Sequence, residues 1–126
     1  MARILLIDDD DDMRTMLGLT LTHFGHTVIE AQNGKQGLAI FAQANADLVM
    51  TDMVMPEKEG IEVVIELRKN NPDLKIIAMS GGGRGSGTGY LLAAKGLGAN
   101  KVLAKPFSNE ELNAAISELL PDAASR

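Results

Sequence analysis

Acidic, hydroxyl and ammonium side chains recur in this 126-residue chain directly after short apolar runs. Asp8, Asp9 and Asp10 follow Ile4-Leu5-Leu6-Ile7, and Asp52 follows Leu48-Val49-Met50-Thr51. Ser80 follows Ile76-Ile77-Ala78-Met79, and Lys105-Pro106 follows Val102-Leu103-Ala104. Several carboxylates packed together repel, and a proton or a bound cation must relieve them. With oxygen ligands alone the natural cation is Mg²⁺ or Ca²⁺, and Mg²⁺ usually keeps waters and a phosphate oxygen. A carboxylate beside Mg²⁺ and Lys can attack a phosphoryl group and form an acyl phosphate. The metal and the ammonium neutralise charge on the phosphoryl oxygens, and a Ser hydroxyl can donate a hydrogen bond to one of them. The four segments therefore hold the parts of a phosphoryl-transfer site, provided a fold brings them together.

The runs themselves describe such a fold. Ile4-Leu5-Leu6-Ile7 is continuous and branched, the pattern of a strand buried on both faces. Residues 27–31, 47–51, 75–79 and 101–104 supply four more strands. Met13, Met16, Leu17, Leu21 and Phe24 keep the spacing of one helical face, with Gly25 placed to cap it. Leu38, Phe41 and Ala42 make a second helix after Asn33-Gly34. Ile61, Val64, Ile65 and Arg68 make a third, which Asn71-Pro72 must end. Tyr90 to Leu97 predicts a short fourth helix. A fifth opens on a capping box of Ser108 and Glu111 and runs through Leu112, Ala115, Ile116 and Leu119 to Pro121.

Strands alternating with helices through short links predict an α/β fold. The expected architecture is a single doubly wound, flavodoxin-like, five-stranded parallel sheet of order 2-1-3-4-5 with five helices. Ligands of such sheets bind at the carboxyl ends of the strands, where the acids, Ser80 and Lys105 stand. Residues 1–121 are expected to form one domain and 122–126 a frayed end, with no output domain following.

Composition narrows the setting. Apolar residues make up 45% of the chain, enough to bury a core without disulfides. The absence of Cys removes thiol chemistry and suits a reducing cytoplasm. The first apolar run is too short for a signal peptide or a membrane span. A net charge of -5, with no Lys/Arg stripe, argues against direct nucleic-acid binding.

Read in order, ILLIDDD, LVMTDMVMPEKEG, IIAMSG and VLAKPF make the chain resemble the receiver domains of two-component response regulators over residues 3–120. The stand-alone, chemotaxis type of receiver is the form it suggests. The resemblance implies Asp52 as phosphoacceptor, with Asp8 and Asp9 as the acidic pair and Asp9 the more direct metal ligand. Val54 matches the position that lends a backbone carbonyl to Mg²⁺, Ser80 the switch hydroxyl, and Lys105 the ammonium that contacts the phosphoryl group. Pro106 falls where the family commonly has a cis peptide bond. The implied function is a cytoplasmic signalling module rather than an enzyme, its chemistry limited to self-phosphorylation and self-dephosphorylation. A histidine kinase or phosphotransfer protein would donate the phosphoryl group. Ser80 and the glycine cluster beginning at Gly81 would then move inward, changing the face of the fourth helix, fifth strand and fifth helix that a downstream protein reads.

Two departures from the family pattern affect output. Val102 replaces an aromatic that often reports phosphorylation three residues before the Lys. The link GGGRGSGTG after Ser80 is unusually rich in glycine, which predicts mobility before a ligand orders it. In the family, side chains two residues after the acceptor and after the switch hydroxyl help place the hydrolytic water. Here they are Val54 and Gly82, neither of which offers a polar side-chain group, so slow self-hydrolysis is expected.

Competing readings meet specific obstacles. Asp10, Asp11 and Asp12 read as a helix-start run favoured by the dipole. An EF-hand fails because Met13 and Leu19 occupy the Gly and Glu positions of its loop. The glycine cluster lacks both a P-loop Lys and a G-x-G-x-x-G register. His23 and His26 read as capping or solvent-facing, and Met50, Met53, Met55 and Met79 as core filling. A Mg²⁺-dependent phosphatase of the haloacid dehalogenase type would use Asp8 as nucleophile. Asp12, however, stands where that family prefers Thr or Val, and the chain leaves little room for a substrate cap. A binding module that works without phosphorylation is the third reading, and the full set Asp8, Asp9, Asp52, Ser80 and Lys105 argues against it.

Overall fold

A computed structural model describes residues 2–53, 59–80, 95–96 and 98–121. Its β1 (Arg3–Ile7), β2 (Thr27–Ala31), β3 (Leu48–Asp52), β4 (Lys75–Ser80) and β5 (Lys101–Ala104) form one sheet of order β2-β1-β3-β4-β5. Every pairing is parallel. The helices are α1 (Asp11–His23), α2 (Gly34–Ala44), α3 (Glu59–Asn70) and α4 (Asn109–Leu119). This is the expected flavodoxin-like sheet, with four helices rather than five among the described residues. Most of the expected helix Tyr90–Leu97 lies outside those residues, as do Val54, the 81–89 glycine cluster and the 122–126 end.

Alternation along the strands builds two cores. Leu5, Ile7, Val49, Ile76 and Ala78 face Val63, Val64 and Leu67 of α3, with Leu38 and Phe41 of α2 against them. Ile4, Leu6, Leu48, Met50, Ile77 and Met79 face Leu17 and Leu21 of α1 and Leu112, Ala115 and Ile116 of α4. Both faces of β1, β3 and β4 are thus covered, which is why their sequences read as continuous apolar runs rather than alternating ones. Burying a Leu- or Ile-sized side chain stabilises by about 1.5–3 kcal/mol, so these three strands carry most of the driving force.

Local signals fix the helix ends. Asp10 caps α1 by accepting from the Met13 N–H, and Asn33 caps α2 by accepting from the Gln36 N–H. Asp10–Asp12 therefore behave as a helix start, with Asp11 and Asp12 in the first turn. The Ser108–Glu111 capping box is formed in both directions, at 2.9 and 3.0 Å. Gly25, with φ 102°, turns the chain after α1 where other residues would be strained.

The β4–β5 pair is tied at both ends. At the amino end the Asn100 N–H donates to the Ile76 carbonyl (2.8 Å), and Asn100 Oδ1 accepts from the Ile76 N–H (2.8 Å). Arg68 of α3 braces the same corner, donating to the carbonyls of Gly98, Asn71 and Pro72 and to Asn100 Oδ1. At the carboxyl end the Lys105 N–H donates to the Ser80 carbonyl (2.7 Å). No helix among the described residues is long and apolar enough to cross a membrane.

Candidate functional site

The carboxyl ends of β1, β3, β4 and β5 meet along one edge of the sheet. β3 ends one residue later than the apolar run suggested, so Asp52 is its last residue and only 5% exposed. The Met53 N–H, just beyond it, donates to the Met79 carbonyl at 2.7 Å and keeps β3 and β4 together past Asp52. Asp8 follows β1 directly, with its N–H donating to the Ala31 carbonyl of β2 at 3.2 Å. Its side chain is fully buried. Asp8 and Asp52 are in phase with the strand residues facing α1 and α4, and so is Lys105.

These placements bring three of the expected groups into contact. Lys105 Nζ donates to Asp8 Oδ2 at 3.0 Å and lies 3.5 Å from Asp52 Oδ2. Asp8 Oδ1 accepts from the Asp10 N–H at 3.0 Å, so both Asp8 oxygens are engaged. Asp9 is exposed beside them. One carboxylate oxygen each from Asp8, Asp9 and Asp52 lies within 4.8 Å of the others. Ser80 is buried at the end of β4, its carbonyl bonded to the Lys105 N–H. The Lys105–Pro106 peptide bond is cis. Val102 is half-buried on β5 and packs against the core on the α2–α3 face. Val54 and Gly81 lie outside the described residues.

The donor set fits a hard divalent cation. Three carboxylates facing one ammonium carry two uncompensated negative charges if all are ionised. Two such charges 4.8 Å apart repel by about 3 kcal/mol at an effective dielectric near 20. Mg²⁺ would balance them with the all-oxygen ligands it favours. Asp9 offers the most accessible carboxylate, since Asp8 is committed to Lys105 and to the turn.

Sequence reasoning overlooked two residues that shape this edge, Arg14 and Gly60, and misread His26 elsewhere. Arg14, one turn into α1, donates through Nη1 to the Asp8 carbonyl at 2.7 Å. Its only sequence trace is the i, i+3 spacing from Asp11, with which it pairs. Gly60 lets the first turn of α3 lie on the end of β3, because a Cβ there would meet the Asp52 carbonyl oxygen at 2.3 Å. It closes the LVMTDMVMPEKEG segment, and that position was its signal. His26 proves buried rather than solvent-facing, with Nδ1 accepting from the Ala2 N–H at 3.2 Å. Burial, and then the positive charge of the N-terminus, lower its pKa. It sits at the opposite end of the sheet from the acids and has no part in their chemistry.

Comparison with known proteins bears on this geometry. Residues 4–117 match the response regulator receiver domain. The transcriptional regulatory protein GlrR of Escherichia coli is 32% identical over 98% of this chain and 27% of its own length. The response regulator MprA of Mycolicibacterium vanbaalenii is 37% identical over 94% of this chain and 50% of its own length. The chain thus spans a quarter to a half of these curated relatives. Among solved structures, a response regulator receiver domain protein from Clostridium thermocellum superposes with a TM-score of 0.87 at 31% identity, covering 96% of this chain and 95% of its own. The response regulator TrrA of Thermotoga maritima, solved in complex with Mg(2+)-BeF, gives a TM-score of 0.81 at 33% identity, covering 95% of this chain and all of its own.

Proposed function

We propose, from the premise that this chain belongs to the response regulator receiver family, that Asp52 accepts a phosphoryl group from a histidine kinase or phosphotransfer protein. The observation that carries this reading is Lys105, whose ammonium contacts Asp8 at 3.0 Å and reaches Asp52 at 3.5 Å within the acidic trio. An Asp52 oxygen forms the new O–P bond as the donor's P–N bond breaks. The electron pair returns to the donor imidazole, which regains a proton. Lys105 is placed to follow charge from the Asp52 carboxylate to the phosphoryl oxygens, while its bond to Asp8 holds the ammonium in position. The Ser80 hydroxyl supplies a hydrogen bond to a phosphoryl oxygen. Asp8, Asp9, Asp52 and the Val54 carbonyl would hold Mg²⁺, which when bound neutralises phosphoryl charge. The Mg(2+)-BeF complex of TrrA supports that assignment by similarity.

The consequence is a switched protein-binding face rather than turnover of a separate substrate. Val102 carries no ring, so the signal leaves through Ser80 and β5 instead of a rotating aromatic. An apolar hollow of about 180 Å³ adjoins the site, lined by Met13, Met16, Leu17, Lys105, Pro106 and Phe107, and supports docking of the donor protein there. Several relatives are named as transcriptional regulators and are longer than this chain; its own acidic composition supports a protein partner rather than direct contact with DNA, and its Cys-free sequence suits a cytoplasmic setting. Val54 and Gly82, two residues after Asp52 and after Ser80 in the sequence, offer no polar side-chain group to place a hydrolytic water, so a long-lived phosphorylated state is expected.

Acetyl phosphate and Mg²⁺, followed by mass mapping of wild type and Asp52→Asn, test this directly. The expected result is one adduct on Asp52 that the variant lacks. An adduct on Asp8 would point to the dehalogenase-type hydrolase, and no adduct on wild type would sink the receiver mechanism.

A further inference from the structure

Arg14 serves no step in the chemistry above, yet it is one of the most engaged side chains near the site. Its Nη1 donates to the Asp8 carbonyl at 2.7 Å, Nη2 pairs with Asp11 Oδ1 at 2.6 Å, and Nε lies 3.3 Å from Glu30 Oε1. The side chain is only 14% exposed. Three elements therefore converge on one guanidinium: α1 through Asp11, β2 through Glu30, and the turn after β1 through Asp8. Gly18 permits this, because a Cβ there would come within 2.9 Å of Glu30 Oε2. The hydrogen bond and charge of Asp11, with a smaller contribution from Glu30, raise the pKa of Arg14.

The main chain of Asp8 is held on both sides, and the Asp8–Asp9 peptide through its carbonyl. The Asp8 N–H is held by the sheet through Ala31, and the Asp8 carbonyl by Arg14. The carbonyl direction sets the peptide plane, and that plane sets where the next Cα aims its side chain. Among the described residues no side-chain hydrogen bond orients Asp9 independently, so its aim follows that plane. We infer that Arg14 is a positioning residue for the acidic pair, holding the Asp8–Asp9 peptide so that Asp9 shares a cation with Asp8 and Asp52. This rests on the receiver reading of the site.

A charge-only role predicts the opposite sign. Arg14 is a cation close to a cation site, and Asp11 and Glu30 already balance it. Removing it leaves more negative charge near the carboxylates, which by electrostatics alone would strengthen Mg²⁺ binding. Loss of positioning weakens it. Outer residues that orient metal ligands typically matter about 10–100-fold in affinity, enough to decide between the signs.

The test is calorimetric titration of Mg²⁺ into wild type, Arg14→Met and Arg14→Lys, with circular dichroism in EDTA to establish that each variant is folded. Arg14→Met keeps the apolar stem and removes the donors; Arg14→Lys keeps the charge but cannot span three partners. Both are expected to bind Mg²⁺ more weakly, Met by roughly tenfold or more and Lys by severalfold. A purely structural role would lower the melting temperature and leave the affinity of the folded protein unchanged. Affinity equal to or above wild type in either folded variant overturns the inference; if Arg14→Met does not fold, Arg14→Lys decides alone. Wild type is labelled with acetyl phosphate in parallel. If it labels on Asp52 while the variants keep its Mg²⁺ affinity, only the role of Arg14 falls. If wild type neither binds Mg²⁺ nor labels, the receiver reading itself falls.

Discussion

Adding one methyl group at Gly60 tests how the acceptor is held. A Cβ there would sit 2.3 Å from the Asp52 carbonyl oxygen, 2.6 Å from the Met53 Cα and 3.1 Å from the Asp52 carbonyl carbon. All three are backbone atoms, so no side chain can rotate away. Ordinary contact begins near 3.4 Å, and α3 must retreat from the end of β3 by about 1 Å to reach it. Overpacking of this kind costs about 1–3 kcal/mol, and the better helix propensity of Ala recovers up to about 1 kcal/mol. Contact with fixed backbone atoms puts the cost at the upper end, about 2 kcal/mol net, and at roughly 3–5 °C per kcal/mol for a domain of this size Gly60→Ala should melt roughly 6–10 °C lower. The displacement falls on the acceptor's own carbonyl, and misplacement by about 1 Å can slow a reaction by about two orders of magnitude. Labelling of Asp52 by acetyl phosphate should therefore slow by at least about tenfold. Gly96→Ala is the control, since a Cβ there meets nothing within 4 Å. Thermal unfolding and timed labelling read both effects. A Gly60→Ala protein that melts within about 2 °C of wild type and labels at the same rate would refute the reasoning.

Two further perturbations act at the opposite end of the sheet. Arg68→Ala removes a guanidinium bonded to Gly98, Asn71, Pro72 and Asn100. It should cost about 2–3 kcal/mol in denaturant unfolding while leaving the labelling rate of the folded protein unchanged; a slowed rate would show that the brace reaches the site. His26 has its pKa lowered in the folded state from the ordinary 6.5, chiefly by burial. The unfolded chain therefore binds the proton more readily, so stability falls as pH drops through 6.5 toward the lower folded value, and His26 adds no pH dependence above that window. His26→Asn should remove this part of the slope. A wild-type-minus-variant stability difference that stays flat from about pH 7 to 5 contradicts it.

Much of the sheet was legible because burial on both faces leaves an unmistakable pattern. β5 begins and ends where its apolar run does, at Lys101 and Ala104. The apolar run of β3 stops at Thr51, and Asp52, which the sequence places at the strand's end, pairs in register with Met79 as a strand residue. The convergence of Asp8, Asp52 and Lys105 could be anticipated from strand order alone, since each follows a run that the fold aligns at one edge. What stayed hidden depends on distances between elements. Nothing in the sequence tells that Arg14 reaches back to the Asp8 carbonyl, or that Gly60 is small because β3 passes beneath it. His26 looked solvent-facing because it stands isolated at a helix end in the sequence, and its partner, the Ala2 N–H, lies 24 residues away.

Asn100 gives the β4–β5 pair an additional rung, made by its side-chain oxygen rather than the main chain. Its importance lies in phase. Side chains alternate along a strand, so a slip of one residue would turn Lys105 from the acids toward the opposite face. β5 has only four residues at the sheet margin and few rungs of its own to resist such a slip. Asn100 lies about 16 Å from Lys105 along the strand, too far to touch the phosphoryl chemistry. It acts as an indexing pin: an amide at one end of the strand determines which way an ammonium points at the other.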